Sequence, residues 1–141
     1  MKKISAKMLL LMSTGLLVVP LLAACGGPTT ITVTETEDYQ IQLDKDSAKA
    51  GEITFHITND ATDMVHEFVV VKTDIADGDL PLDADGNVDE DQFTPIDEQE
   101  DIQPGETRDL VVTLDPGHYV LMCNLPDHYG KGMHAGFTVN P

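Results

Sequence analysis

The chain has 141 residues, of which eight are basic and 25 acidic, for a formal charge of −17 at pH 7 and an isoelectric point near 4.2. A length of this order predicts one domain. So acidic a balance argues against nucleic-acid partners and against adsorption to anionic headgroups, since both need clustered cations.

Lys2, Lys3 and Lys7 precede an apolar stretch, Met8 to Ala24, broken only by Ser13, Thr14, Gly15 and Pro20. A basic start followed by an apolar run is the pattern of a secretory signal. An uncleaved membrane helix is the competing reading, because the run approaches spanning length. The run ends in Leu22-Ala23-Ala24-Cys25, which resembles a lipoprotein cleavage box. That resemblance implies a signal peptide over 1–24 and a lipid chain on Cys25. The chain left after cleavage would hold all 25 acidic residues against five basic ones, a formal −20, so lipid rather than charge would hold it to a membrane. The acidity reads either as steering of a basic partner or as surface hydration in a salty exterior. With Cys25 used as an anchor, Cys123 is the one remaining thiol, and metal coordination would protect it in an oxidising compartment.

Residues 25–30 read as a short tether, at most ~18 Å when extended, and the domain proper is expected over 31–141. Ile31-Thr32-Val33-Thr34 and Tyr39-Gln40-Ile41-Gln42-Leu43 alternate apolar and polar residues, as half-buried strands do. Asp44-Lys45-Asp46 reads as a turn. Glu52 to Thr58 alternates again, with Ile53, Phe55 and Ile57 inward and His56 on the opposite, solvent face. Asn59 to Asp63 is turn-rich and leads to His66 and a strand over Glu67 to Lys72. Residues 74–103 hold twelve acidic residues and no basic one, and show no period. This stretch is expected to be an acidic insertion that either hangs out as a flap or contains a short helix or strand near Gln92 to Ile96. Asp83 to Asp89 fails as a calcium loop, because Val88 stands where glycine is needed and Thr94 where glutamate is needed. Thr107 to Leu114 alternates once more, Asp115-Pro116-Gly117 is a tight turn, and Tyr119, Leu121 and Cys123 share one face of the next strand. His118 falls on the other face and reads as a surface residue. His134 to Val139 forms the last strand. Seven to eight short strands without a strong helix predict an all-β sandwich.

The stretch that carries chemistry is Cys123-Asn124-Leu125-Pro126-Asp127-His128-Tyr129-Gly130-Lys131-Gly132-Met133. It sets a thiolate, an imidazole and a thioether on one loop at C-x4-H-x4-M spacing. With a second imidazole, these are the ligands of a mononuclear copper centre that passes one electron. His66, in Met64-Val65-His66-Glu67-Phe68, is the candidate for that second imidazole. Zinc fits less well, because its structural sites use four strong ligands and rarely methionine.

At these residues the sequence resembles the cupredoxins. Gly117 to Cys123 looks like their penultimate strand, and C-x4-H-x4-M looks most like the rusticyanin and sulfocyanin branch. The resemblance implies a Greek-key β-sandwich and one type 1 copper ion held by His66, Cys123, His128 and Met133. It also implies electron exit through the solvent-facing edge of His128. Many cupredoxins follow the first histidine with a small polar residue that laces the two ligand loops. Here Glu67 stands in that place, and Asn124 is expected to take over the lacing.

Catalytic copper is excluded by counting. Five histidines cannot supply a trinuclear cluster, and one loop cysteine cannot bridge a dinuclear centre. The expected function is single-electron transfer by a lipid-anchored protein between redox partners at the outer face of the cytoplasmic membrane. The alternative is copper storage or delivery to an oxidase through an exchangeable set of Met64, His66, Met122, Met133 and His134.

Overall fold

A computed structural model describes residues 27–141, so the expected signal segment and the Cys25 anchor lie outside the described residues. The architecture is all-β, with nine strands among the described residues where seven to eight were anticipated. They are β1 (Thr29–Glu35), β2 (Ile41–Leu43), β3 (Ser47–Lys49), β4 (Gly51–Asn59), β5 (His66–Lys72), β6 (Pro95–Ile102), β7 (Thr107–Leu114), β8 (Gly117–Met122) and β9 (His134–Asn140). One sheet runs β2-β1-β4-β7 and the other β3-β9-β8-β5-β6. β1 lies parallel to β4, and β3 parallel to β9, while the remaining strand pairs are antiparallel. Because β1 begins at Thr29, the sheet takes the last two residues of the expected tether.

Period-two patterning builds the interior. Ile31 and Val33 of β1, Ile53, Phe55 and Ile57 of β4, and Leu110, Val112 and Leu114 of β7 are buried in one apolar cluster with Phe68, Val70, Tyr119, Leu121, Phe137 and Val139 of the other sheet. Phe55 sits at its centre, with ring centroids 5.3 Å from Phe68 and 5.4 Å from Phe137. Each such side chain contributes roughly 1.5–3 kcal/mol on burial. Cys123 and Met133 belong to the same cluster, so two of the expected ligands are set in the core.

The acidic stretch is not a free flap, and the short helix or strand expected near Gln92 to Ile96 is present as a 3-10 turn at Glu90–Gln92 and a strand from Pro95. The first half of the stretch lies on the outer face of the five-stranded sheet. There Leu80 and Val88 join Val69, Val71, Val120, Met122 and Tyr129 in a second apolar cluster, with Phe93 packed against it. β5 and β8 are therefore buried on both faces, which accounts for the unbroken run Phe68-Val69-Val70-Val71. Its second half is β6, an edge strand paired with β5. Only Ile102 of β6 is fully buried, so no alternation shows. Leading Pro95 and a row of carboxylates discourage further pairing at that edge.

Candidate metal centre

The four expected ligands come from two neighbouring loops at one end of the sandwich. His66 opens β5, and the approach to it is fixed by Asn59, which is itself buried. The Asn59 amide donates to the carbonyls of Met64 and Ile102, both at 2.8 Å, and its oxygen accepts the Ala61 N–H at 2.9 Å. Every polar atom of that side chain is thereby used, so the loop into His66 is held without an orphaned group. Cys123 follows the last residue of β8. His128 precedes a 3-10 turn at Tyr129–Lys131, and Met133 precedes β9.

The ligand loop closes on itself through its backbone. Cys123 N–H donates to the Met133 carbonyl (3.1 Å), Met133 N–H to the His128 carbonyl (3.1 Å) and His128 N–H to the Leu125 carbonyl (2.9 Å). The turn ends at Gly132, whose φ of 105° suits glycine.

His66, Cys123 and His128 each direct a donor atom to one point, all within 4.8 Å of one another. Nδ1 of His128 stands 3.3 Å from Nδ1 of His66 and 3.2 Å from Sγ of Cys123. Donors each 2.0–2.3 Å from one ion, at trigonal or tetrahedral angles, stand about 3.3–3.8 Å apart. The observed spacings thus fit a single ion with little movement. His66, Cys123 and Met133 are fully buried, and His128 is partly exposed.

The electrostatics suit neutral imidazoles. Burial, and secondly the His128 ring, push His66 down to about 4, with the Thr36 backbone opposing. Burial, then Lys131, lowers His128, against Asp127. Burial pushes the Cys123 thiol up to about 12, opposed by the backbone N–H groups of Glu67 and Leu125. The Glu67 N–H lies 3.4 Å from the sulfur, where it would stabilise a thiolate.

Residues 29–140 match the family model of copper binding proteins of the plastocyanin/azurin family. The chain belongs to this family. Among solved structures it is similar to the dithionite-reduced auracyanin of the photosynthetic bacterium Roseiflexus castenholzii, at 26% identity over 82% of this chain and 100% of that one, with a TM-score of 0.58. It shares its fold with auracyanin A, a blue copper protein of Chloroflexus aurantiacus (24% identity, 81% of this chain, 100% of that one, TM-score 0.58). Reduced rusticyanin shares it too (17% identity, 82% and 81% covered, TM-score 0.57). No curated protein matches the sequence. In this cupredoxin, His66, Cys123, His128 and Met133 are arranged as a type 1 site for one copper ion.

The lacing of the two loops differs from expectation. Glu67 itself performs it, its carboxylate accepting the backbone N–H of Asn124 at 2.8 Å. The Asn124 side chain turns instead to the acidic stretch, accepting the Val88 N–H (2.7 Å) and donating to the Val88 carbonyl (3.1 Å).

The other histidines stay outside the donor cluster. His56 is exposed beside Asp109. His118 is bound to the Thr73 carbonyl, and His134 lies 3.2 Å from Asp77. Met122 faces the outer cluster, away from Cys123. The exchangeable Met/His set considered for copper delivery is therefore not assembled.

Three residues near this cupredoxin's site escaped sequence reasoning. Tyr129 bolts the ligand loop to the acidic stretch, its hydroxyl donating to the Asp77 carbonyl (2.6 Å) and accepting the Leu80 N–H (3.0 Å). Tyr39 packs on His128, at 5.0 Å between ring centroids. Glu35 is fully buried, with neither carboxylate oxygen hydrogen-bonded. A signal for Glu35 was present, since it continues the inward register of Ile31 and Val33.

Proposed function

We propose that this cupredoxin carries single electrons between redox proteins and has no substrate chemistry of its own. The observation that carries this reading is the unequal burial of the ligands. His66, Cys123 and Met133 are fully buried, and His128 alone of the four is half-buried. Copper, when bound, supplies a one-electron couple between its two common oxidation states. The chain's residues hold the donors in place beforehand, keep water away and leave one imidazole edge as the exit. A carrier needs such a closed site, whereas delivery of copper needs an accessible one. With Met122 turned outward and His134 tied to Asp77, delivery is the weaker reading.

The anchor and the location belong to the same proposal. Cys25 would carry the lipid and hold the domain at the outer face of the cytoplasmic membrane, within reach of a membrane-bound partner. The acidic surface favours a basic redox partner, a cytochrome or an oxidase. The deciding experiment is the visible spectrum of residues 26–141 after addition of copper(II). An intense thiolate-to-copper absorption that bleaches and returns over reductive and oxidative cycles supports a carrier. A colourless protein that prefers copper(I) and yields it quickly to a chelator sinks the reading. Mass spectrometry of the full chain expressed with its own leader tests lipidation, and an unmodified Cys25 would overturn the anchor.

A further inference from the structure

The hairpin between β1 and β2 contains a strained residue. Thr36 N–H donates to the Gln40 carbonyl (3.0 Å) and Tyr39 N–H to the Thr36 carbonyl (3.1 Å), closing a three-residue loop over Glu37-Asp38-Tyr39. The third residue of such a loop takes a left-handed conformation, which glycine accepts most readily. Here that residue is Tyr39, with φ at 57°. A bulky side chain is disfavoured in this region, and the strain persists only where the surroundings over-determine it.

What over-determines Tyr39 is the ligand loop. Its ring centroid lies 5.0 Å from that of His128, with the planes at 78°, a T-shaped contact. Lys131 places Nζ 4.5 Å from the Tyr39 ring centroid and donates to the Tyr39 hydroxyl at 3.3 Å. The hairpin belongs to the four-stranded sheet, whereas the ligand loop joins β8 and β9 of the other sheet. Tyr39 therefore spans the two layers at the mouth of the site.

A metal-bound histidine is ordinarily oriented by a hydrogen bond from its second ring nitrogen to a carbonyl or carboxylate. Among the described residues, both hydrogen bonds of the His128 ring run through Nδ1, toward the other donors. Its ring-to-ring contacts among the described residues are with His66, at 5.2 Å, and Tyr39. Packing against Tyr39 stands where an orienting hydrogen bond would be.

We propose that Tyr39 is a positioning residue for His128, setting the plane of the imidazole while Lys131 holds the tyrosine in place. This rests on the copper reading above. The backbone strain at Tyr39 is thus tied to keeping the exposed ligand fixed between the two redox states. A tyrosine kept only for the fold would be replaced with loss of stability. One kept in strain for the site would be replaced with stability unchanged or improved and the site loosened.

Tyr39→Asn removes the ring and relieves the backbone, whereas Tyr39→Phe keeps the ring and loses only the hydroxyl. For Tyr39→Asn the copper-free chain should melt at the same temperature as the wild type or higher. Its His128 ring resonances should broaden through slow motion. With copper(II) bound, its absorption band and hyperfine splitting should shift, and a chelator should strip the ion about tenfold faster. Tyr39→Phe should restore most of the spectrum and the slow release. The proposal is overturned if Tyr39→Asn leaves spectrum, splitting and release rate as in the wild type. It is equally overturned if the copper-free variant simply melts lower while its His128 resonances stay sharp. A wild-type chain lacking the copper band would sink the copper reading instead, and the copper-free resonances would still decide the role of Tyr39.

Discussion

Glu67 touches both halves of the metal centre. Its carboxylate accepts the backbone N–H of Asn124 at 2.8 Å, and its own backbone N–H points at Sγ of Cys123 from 3.4 Å. The first contact ties the start of β5 to the loop after β8, and the second would stabilise the thiolate. Glu67→Gln keeps an acceptor for Asn124 and removes one negative charge near the ion. Less negative charge favours the reduced site, so the potential should rise. The rise should be on the order of a hundred millivolts, from a unit charge several ångströms away at an effective dielectric of about 20. Glu67→Ala also loses the hydrogen bond and should cost about 1–3 kcal/mol. Voltammetry and denaturant melts check both, and an unchanged potential in Glu67→Gln would remove Glu67 from the tuning of the site.

Copper binding should release one proton at neutral pH. The Cys123 thiol, pushed up to about 12 by burial, is protonated in the copper-free chain and must give up its proton to bind. His66, pushed down to about 4, and His128, also lowered, are already neutral at pH 7. The apparent affinity should therefore rise about tenfold per pH unit from pH 7 upward. As pH falls toward about 4 the slope should steepen, because His66 then competes for a second proton. Chelator competition across the pH range measures the slope. A slope of zero at pH 7 would mean that Cys123 is not the ligand or is already a thiolate.

How far these features were legible in the sequence depends on the kind of contact. The strands β1, β4 and β7 showed themselves because one face meets the core and the other water, which writes the period into the residues. The ligand set was legible because three of its members share one short loop, and a thiolate, an imidazole and a thioether at that spacing have few other uses. β3 was invisible, since Ser47-Ala48-Lys49 has no fully buried residue and gains its pairing from the distant β9. β6 was legible only as a short helix or strand near Gln92 to Ile96, because an edge strand with one buried side chain carries no alternation. The acidic stretch read as solvent-exposed because its carboxylates dominate, although Leu80 and Val88 decide where it packs. Tyr39 and His128 meet only when the two sheets stack, and no local pattern encodes that.

Glu35 should make the fold less stable as pH rises. Burial, and secondly the Glu67 carboxylate, raise its pKa from 4.5 to about 9, and neither of its oxygens is hydrogen-bonded. A folded-state pKa above the unfolded one means that the favourable, protonated form is fully present below pH 4.5. Its contribution is then lost progressively as pH climbs through about 9. Glu35→Gln keeps the shape and cannot ionise, so it should match the wild type near pH 4.5 and exceed it by about 5 kcal/mol at pH 8. Denaturant melts of both chains at several pH values should therefore diverge with increasing pH. Parallel curves would mean that Glu35 ionises as readily folded as unfolded.

Tyr129 should prove to be the bolt that keeps the acidic stretch in place. Its hydroxyl serves the Asp77 carbonyl at 2.6 Å and the Leu80 N–H at 3.0 Å, and its ring is buried beside Leu80 and Val88. Tyr129→Phe keeps the ring and leaves two backbone groups without a partner, one of them in buried surroundings. The expected cost is about 1–3 kcal/mol. The damage should be local, because the main core between the sheets does not include this residue. Amide exchange should quicken over 77–89 while β1, β4 and β7 keep their protection. The copper absorption band should be retained, since the donors are held by the loop's own backbone bonds and by Glu67. Loss of the band in Tyr129→Phe would show instead that the acidic stretch, rather than the loop itself, shapes the metal centre.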